Sequence, residues 1–198
     1  MHAVEPGLIV LSWYCEGRNQ TMSTNFEMFS HIELIGQAIL PFIRAVSAEA
    51  LVKTLLRKVG LDDVQPGLYY PLSSHLKLLD DVDKRMPTVL KNAGTFIASE
   101  AVFPPEIATF EQFLEAINTV YLMQHRGYAE GEIGQYSYSK ESEKVFHMVD
   151  DIPYPCRYNE GMYLGFAKRF GVAINLSHTG TQCRRKGDRK CSFRIELK

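Results

Sequence analysis

From Ser30 to Arg126 apolar positions recur every three to four residues, and beyond Gly127 stretches with a period of two appear; this change of period divides the molecule. From Ser30, "HIELIGQAILPFIRAV" sets Ile32, Ile35, Ile39, Leu40 and Ile43 at helical spacing, and Pro41 is expected to kink or end that helix. "SAEALVKTLLRKVG" predicts a second helix, with Ser47 as N-cap, Leu51, Leu55 and Val59 on one face and Gly60 as the stop. "SSHLKLLDDVDKRM" predicts a third, with Leu76, Leu79, Val82 and Met86 inward, and "TVLKNAGTFIASEA" a fourth. "TFEQFLEAINTVYLMQHRG" is the strongest helical segment. Thr109 and Gln112 have capping-box spacing, and Phe113, Leu114, Ile117, Val120 and Tyr121 make its apolar face. His125 and Arg126 fall in the last turn, where surface cations complement the helix dipole, and Gly127 ends it.

Beyond Gly127 the period is two. "GEIGQYSYS" and "EKVFHMVDD" read as strands joined by the polar turn "KES". "NEGMYLGFAKRFG" returns to helix, with Met162, Phe166 and Phe170 on one side and Gly161 and Gly165 set for close backbone approach. "VAINLSH", "QCRRK" and "KCSFRIEL" are three further strand candidates. The fold class is therefore α+β: N-terminal helices packed on an antiparallel sheet, with a C-terminal strand–helix–three-strand unit. Residues 1–25 are expected to form an N-terminal arm or strand, and residues 26–198 a single domain.

Composition narrows the class further. The chain is 45% hydrophobic and 23% charged with a formal net charge of -1, so no global field draws it to nucleic acid or an anionic membrane. No apolar run reaches the roughly 18 residues of a membrane helix. The opening "MHAVEPGLIVLSWYCEG" lacks a basic leader and a small-residue cleavage site, so it is not read as a signal peptide, and the expected compartment is the cytoplasm. Four cysteines are too few for a disulfide scaffold.

Two of those cysteines carry the sharpest chemical signal. In "HTGTQCRRKGDRKCSF", Cys183 and Cys191 are equidistant from Gly187. A turn at "RKGDR" pairs residues whose numbers sum to 374, which sets the two thiols opposite each other, with Cβ atoms about 4.5–5.5 Å apart. Structural zinc takes four ligands. Cys156, held extended behind "IPYP", is a third candidate, and His178 a fourth, with Glu160 its rival. Spacing alone leaves three readings open: a metal site, two small hydrophobes packed in a hairpin, or a disulfide. Cys15 is read as a free thiol. The basic residues Arg184, Arg185, Lys186, Arg189 and Lys190 read as a solvated hairpin tip or as a docking surface for an acidic partner or a phosphate. No aromatics interleave with them to stack nucleic-acid bases.

The segments "IPYPCRYNEGMYLGFAKRFG" and "SHTGTQCRRKGDRKCSFRIEL" resemble the C-terminal signature of the four-vinyl reductase superfamily. That group includes bacterial hydrocarbon and phenol sensor domains, and it is similar in fold to heme-nitric-oxide-binding domains and to TRAPP-type trafficking subunits. The resemblance covers roughly the last 45 residues, and "HRGYAEGEIGQYSY" is compatible with it. It implies a four-vinyl-reductase-like ligand-binding domain, a pocket between helices and sheet, a homodimer, and zinc held by three cysteines and a glutamate. Cys156, Cys183 and Cys191 match the three cysteines. The position three before Cys183 is Gly180 rather than glutamate, which favours His178 as the fourth ligand.

The implied function is sensory binding of a small apolar or aromatic molecule, with zinc as a structural scaffold and any signal passed to a separate output protein. Tyr121, Tyr136, Tyr138, Phe146, His147, Tyr163 and Phe166 are the pocket candidates, and core packing is the plainer account of the same aromatics. Two alternatives stay open. A heme-based gas sensor needs an axial histidine, and among His75, His125 and His147 nothing in the sequence singles one out. A tetrapyrrole vinyl-reductase-like enzyme or accessory needs a reduced cofactor, yet the chain has no phosphate loop or dinucleotide fingerprint. It also has no serine nucleophile elbow. Cys156 with a nearby histidine is the remaining nucleophile pair, and a metal site uses those atoms more fully.

Overall fold

The computed structural model describes residues 25–46 and 50–198. The arm before residue 25, Cys15 and the Ser47 cap lie outside them. The described chain is α+β with two antiparallel sheets. A three-stranded sheet is built from β1 (Glu33–Ile35), β2 (Tyr69–Pro71) and β3 (His125–Arg126), with β1 central. Helices α1 (Gly36–Val46), α2 (Ala50–Val59), α3 (Leu72–Arg85), α4 (Pro87–Glu100) and α5 (Phe110–Met123) follow the predicted helical segments. The second sheet has the order β4 (Gln135–Ser142), β5 (Val145–Asp151), β7 (Cys191–Leu197), β6 (Ile174–Thr179), and α6 (Cys156–Arg169) connects its two halves. No helix among the described residues is long and apolar enough to cross a membrane.

Four local expectations are corrected. "HIEL" is strand before it is helix. Ile32 and Leu34 are buried and alternate with more exposed neighbours, and β1 pairs with both β2 and β3. Pro41 does not end α1, which runs on to Val46, so only the hydrogen bond to the Gln37 carbonyl is forfeited. The buried face of α2 is Val52, Leu55 and Leu56, while Leu51 is exposed. "QCRRK" is not a strand. The β6–β7 ladder pairs residues whose numbers sum to 371, as in His178↔Phe193, and ends at Thr179↔Ser192. Residues 180–190 then leave the sheet, with a short 3-10 turn at Arg184–Lys186 closed by Gly187 at φ 88°. The C-terminal unit is therefore two strands, a helix and two strands. Cys183 sits in a loop rather than across a ladder from Cys191.

Two features position the site. On the inner face of the sheet, Phe146 opposes Ile195, Met148 opposes Phe193, and Asp150 opposes Cys191. All six residues are buried. Beneath that face α6 packs on α4 backbone to backbone. A Cβ on Gly161 would lie 2.0 Å from the Lys91 carbonyl oxygen, one on Gly165 2.4 Å from that of Thr95, and one on Gly94 2.1 Å from that of Tyr158. The Thr95 hydroxyl donates to the Gly161 carbonyl at 3.1 Å.

Candidate metal centre and ligand cavity

Four separate segments bring Cys156, His178, Cys183 and Cys191 together. Their ligand atoms all lie within 4.8 Å of one another. Cys156 is the first residue of α6, set by the extended Pro155 before it. His178 stands one residue from the end of β6, and Cys191 opens β7. Cys183 is fixed through its backbone: its N–H donates to the Asp188 carboxylate at 2.8 Å, and its carbonyl accepts from the Lys186 N–H at 2.8 Å. The three thiols are buried and unbridged. Cys156 Sγ and Cys183 Sγ are 3.9 Å apart, close to the edge of about 3.8 Å of a tetrahedron built on zinc–sulfur bonds.

The donor set suits a soft divalent cation. His178 Nε2 is buried with no hydrogen-bond partner in the protein, so its lone pair or proton is unsatisfied. The Cys191 thiol is held below its ordinary pKa, first by the hydrogen bond from Cys156, with the Arg184 N–H adding to it at 3.4 Å. The Cys156 thiol is pushed up by the same contact and by burial. Cys191 is therefore the first of this pair to reach the thiolate form that ligates metal. Glu160 is not part of the cluster. It ion-pairs with Lys91 at 3.5 Å and with Arg185 at 3.7 Å. Arg189 pairs with Asp151 at 2.7 Å, so part of the basic tip is spent within the chain.

One turn along α6 from Cys156, a cavity of about 540 Å³ opens between α1, α3, α5 and α6, within the size range of small-molecule sites. Of the sequence candidates, Tyr121, Tyr136 and Phe166 line it. The other four do not. Tyr138 donates to Glu111 at 2.9 Å, Phe146 is sealed in the core of the sheet, half-exposed His147 meets Glu141 at 2.6 Å, and Tyr163 donates to Asp150 at 2.6 Å. Phe103, Phe113, Tyr154 and Tyr158 complete the aromatic lining among the described residues, and His75 is the one histidine among them. The signal for His75 was present in the sequence: it shares the apolar stripe of α3 with Leu72, Leu76, Leu79 and Val82.

His125 is corrected from a surface cation to a buried neutral ring. Nδ1 lies 2.7 Å from the Tyr121 carbonyl and must donate to it, so Nε2 accepts from the Tyr154 hydroxyl at 3.0 Å. Burial pushes its pKa down to about 4. His75 is pushed down to about 3 by burial and then by His125. Both rings stay neutral in the folded state while their unfolded counterparts protonate below about 6.5. Their stabilising contribution is present above pH 6.5 and is lost as pH falls toward 4. Each proton makes stability fall by about 1.4 kcal/mol per pH unit in that window. Denaturant midpoints at pH 6.5, 5.5 and 5.0 are expected to fall less steeply, by one proton, in His75→Leu than in the unmodified chain. Equal slopes would mean that His75 titrates normally.

No protein-family model matches the chain. No curated protein matches it either. Solved structures do match in fold. An H-NOX protein from S. oneidensis in the Fe(II)NO ligation state superposes with a TM-score of 0.59 at 20% identity, over 83% of this chain and 99% of that one. A triple mutant of an S. oneidensis H-NOX protein in the Fe(II) ligation state gives 0.60 at 21% identity, covering 83% and 96%. A variant of the T. tengcongensis H-NOX gives 0.59 at 15% identity, covering 81% and 95%. The chain thus has the H-NOX fold, which bears out the heme-nitric-oxide-binding side of the resemblance as a matter of architecture.

Proposed function

We propose that this protein is a sensory ligand-binding module on an H-NOX fold, taking a small apolar or aromatic molecule into the cavity and using the adjacent three-cysteine, one-histidine cluster as a structural zinc site. The observation that carries the reading is the cavity itself. Among the described residues its lining is mainly aromatic and aliphatic, it contains neither lysine nor arginine, and its one carboxylate, Glu100, is paired with Arg44. Four protein ligands leave a metal no open position for water, so the cluster would hold the entry of α6, the end of β6 and the start of β7 in place. It would not perform chemistry there. The ligand would reshape the packing of α1, α3 and α6 around it, a change that a separate output partner or a second copy of the chain can read.

Ligand binding is expected as thermal stabilisation of the reduced, metal-loaded protein by a panel of small aromatics. A ligand at about 100 times its dissociation constant adds about 2.7 kcal/mol. Ala116→Trp, which fills the cavity from α5, should abolish the shift. No stabilisation by any member of the panel, with Ala116→Trp behaving as the parent, would sink the reading.

Heme in the same cavity is the second reading, favoured by the fold shared with proteins solved in iron-ligated states. His75 is the lining histidine among the described residues and would be the residue to hold its iron; a bound heme would supply gas binding. Among the described residues no lysine or arginine lines the cavity to meet its propionates, which weighs against it. Hemin added to the purified protein should give a Soret band lost in His75→Leu if this reading holds.

A further inference from the structure

We infer that the loop from Cys183 to Cys191 is a docking surface for a partner protein, and that it takes an acidic segment, a short run of aspartate and glutamate side chains. The surface is independent of whatever the cavity binds. Residues 184–190 hold five basic residues and one acidic one, a charge of +4 in a chain whose total is -1, so everything outside the loop sums to -5. The surroundings do not cancel these cations. Asp151 pairs with Arg189 at 2.7 Å, and Glu160 is shared between Arg185 and Lys91. Asp188 is turned back onto the loop, where its carboxylate accepts from the Cys183 N–H at 2.8 Å. Lys186 and Lys190 are exposed and make no ion pair among the described residues.

The loop is cinched by its own backbone, so its charges are displayed in fixed places. The Cys183 carbonyl accepts from the Lys186 N–H at 2.8 Å and from the Asp188 N–H at 3.3 Å. Gly187 closes the turn at φ 88°, and the Arg184 guanidinium donates across it to the Arg189 carbonyl at 2.7 Å. A preorganised surface loses less freedom on binding than a loose one. The same bonds argue against a phosphate as the occupant. Phosphate sites on loops are built from convergent backbone N–H groups. Here those of Cys183, Arg184, Lys186, Gly187 and Asp188 already donate within the chain. Side-chain cations are what the loop turns outward. A long polyanion such as nucleic acid meets the -5 carried by the rest of the chain. The loop also offers no aromatic ring on which a base can stack. Carboxylates spaced along a short peptide match both the spread of the cations and the small extent of the patch.

Octaglutamate is the probe. Added at low ionic strength to the ¹⁵N-labelled protein, purified reduced and without chelator, it should move the amide resonances of residues 183–191. Those around other exposed lysines, such as Lys53 and Lys144, should stay in place. Lys186→Glu combined with Lys190→Glu reverses two charges that serve no ion pair and no metal ligand, and should weaken binding about tenfold. Lys53→Glu combined with Lys144→Glu makes the same change of net charge elsewhere and should leave binding as it was. The resonance map needs no variant, so it decides the matter even where the loop variant folds poorly. No binding of octaglutamate, shifts scattered over the whole surface, or equal weakening by the two double variants would overturn the assignment. Tighter binding of a short duplex DNA or of inorganic triphosphate to the same loop would overturn it too, by giving the surface to a nucleic acid or a phosphate.

Discussion

Cys191→Ser is expected to purify without metal, and to melt about 10–20 °C below the parent chain. The parent, purified reduced and without chelator, should carry one zinc per chain. The size of the effect follows from what the cluster joins. Cys156, His178, Cys183 and Cys191 come from the start of α6, the end of β6, the connecting loop and the start of β7. In the loop connecting β6 to β7, ordinary core packing is sparse. Residues 184–190 are half-buried or exposed. A structural zinc site contributes on the order of 10 kcal/mol where folding and binding are coupled. Loss of one of four ligands is taken as about half of that, or about 5 kcal/mol, and a chain of this size melts about 2–4 °C lower per kcal/mol. A chelator should bring the parent chain to the same melting point and leave Cys191→Ser unmoved. Glu160→Gln should keep its metal, because that carboxylate is engaged with Lys91 and Arg185. A metal-free parent chain with the same melting point as Cys191→Ser would reduce the cluster to packed thiols. Loss of two titratable thiols on air oxidation would identify a disulfide.

That Cys156, His178, Cys183 and Cys191 come together was legible in the sequence, although the geometry offered for it was not. Cys183 and Cys191 were expected to face each other across a ladder; they meet because the chain leaves the sheet after Thr179 and folds back through Gly187. Residue type and order survive such an error, since a loop can deliver a thiol to the same point by another route. The helices were legible because their burial is local and periodic, and the Thr109–Gln112 capping box is present as read. The short strands β1 to β3 were not, because pairing between residues far apart in sequence makes them strands. Of the seven pocket candidates, Tyr121, Tyr136 and Phe166 line the cavity, and the strand candidates lie elsewhere for a related reason. Alternation along β4 and β5 says that Tyr138, Phe146 and His147 face one side or the other, but not whether a helix already covers that side. His125 was misplaced because helical periodicity cannot see that the chain turns at Gln124 and carries the ring inward, onto Tyr154.

Gly161→Ala is the sharpest test of the scaffold beneath the site, because two physical effects predict opposite signs. Gly161 lies within α6. Helix propensity alone makes alanine more stable there by about 1 kcal/mol. The packing reverses this. The new Cβ would sit 2.0 Å from the Lys91 carbonyl oxygen and 3.0 Å from the Thr95 nitrogen. Both are backbone atoms of α4, with no rotamer to yield, so the helices must separate. Overpacking of this kind costs about 1–3 kcal/mol in a side-chain core. Here, with two backbones in contact and the Thr95–Gly161 hydrogen bond broken, a loss of about 3 kcal/mol or more is expected, or a melting point lower by about 6–12 °C. Gly67→Ala, where a Cβ meets nothing within 4 Å, should be nearly neutral and controls for the substitution itself. The same displacement reaches both sites, for α6 carries Cys156 at its start and Tyr158, Met162 and Phe166 along the cavity wall. Metal and ligand affinity are therefore expected to fall together in Gly161→Ala, although the substituted residue belongs to neither site. A Gly161→Ala chain as stable as its parent would mean that α4 and α6 are not in backbone contact, and that the cavity wall is held by something other than this pair of helices.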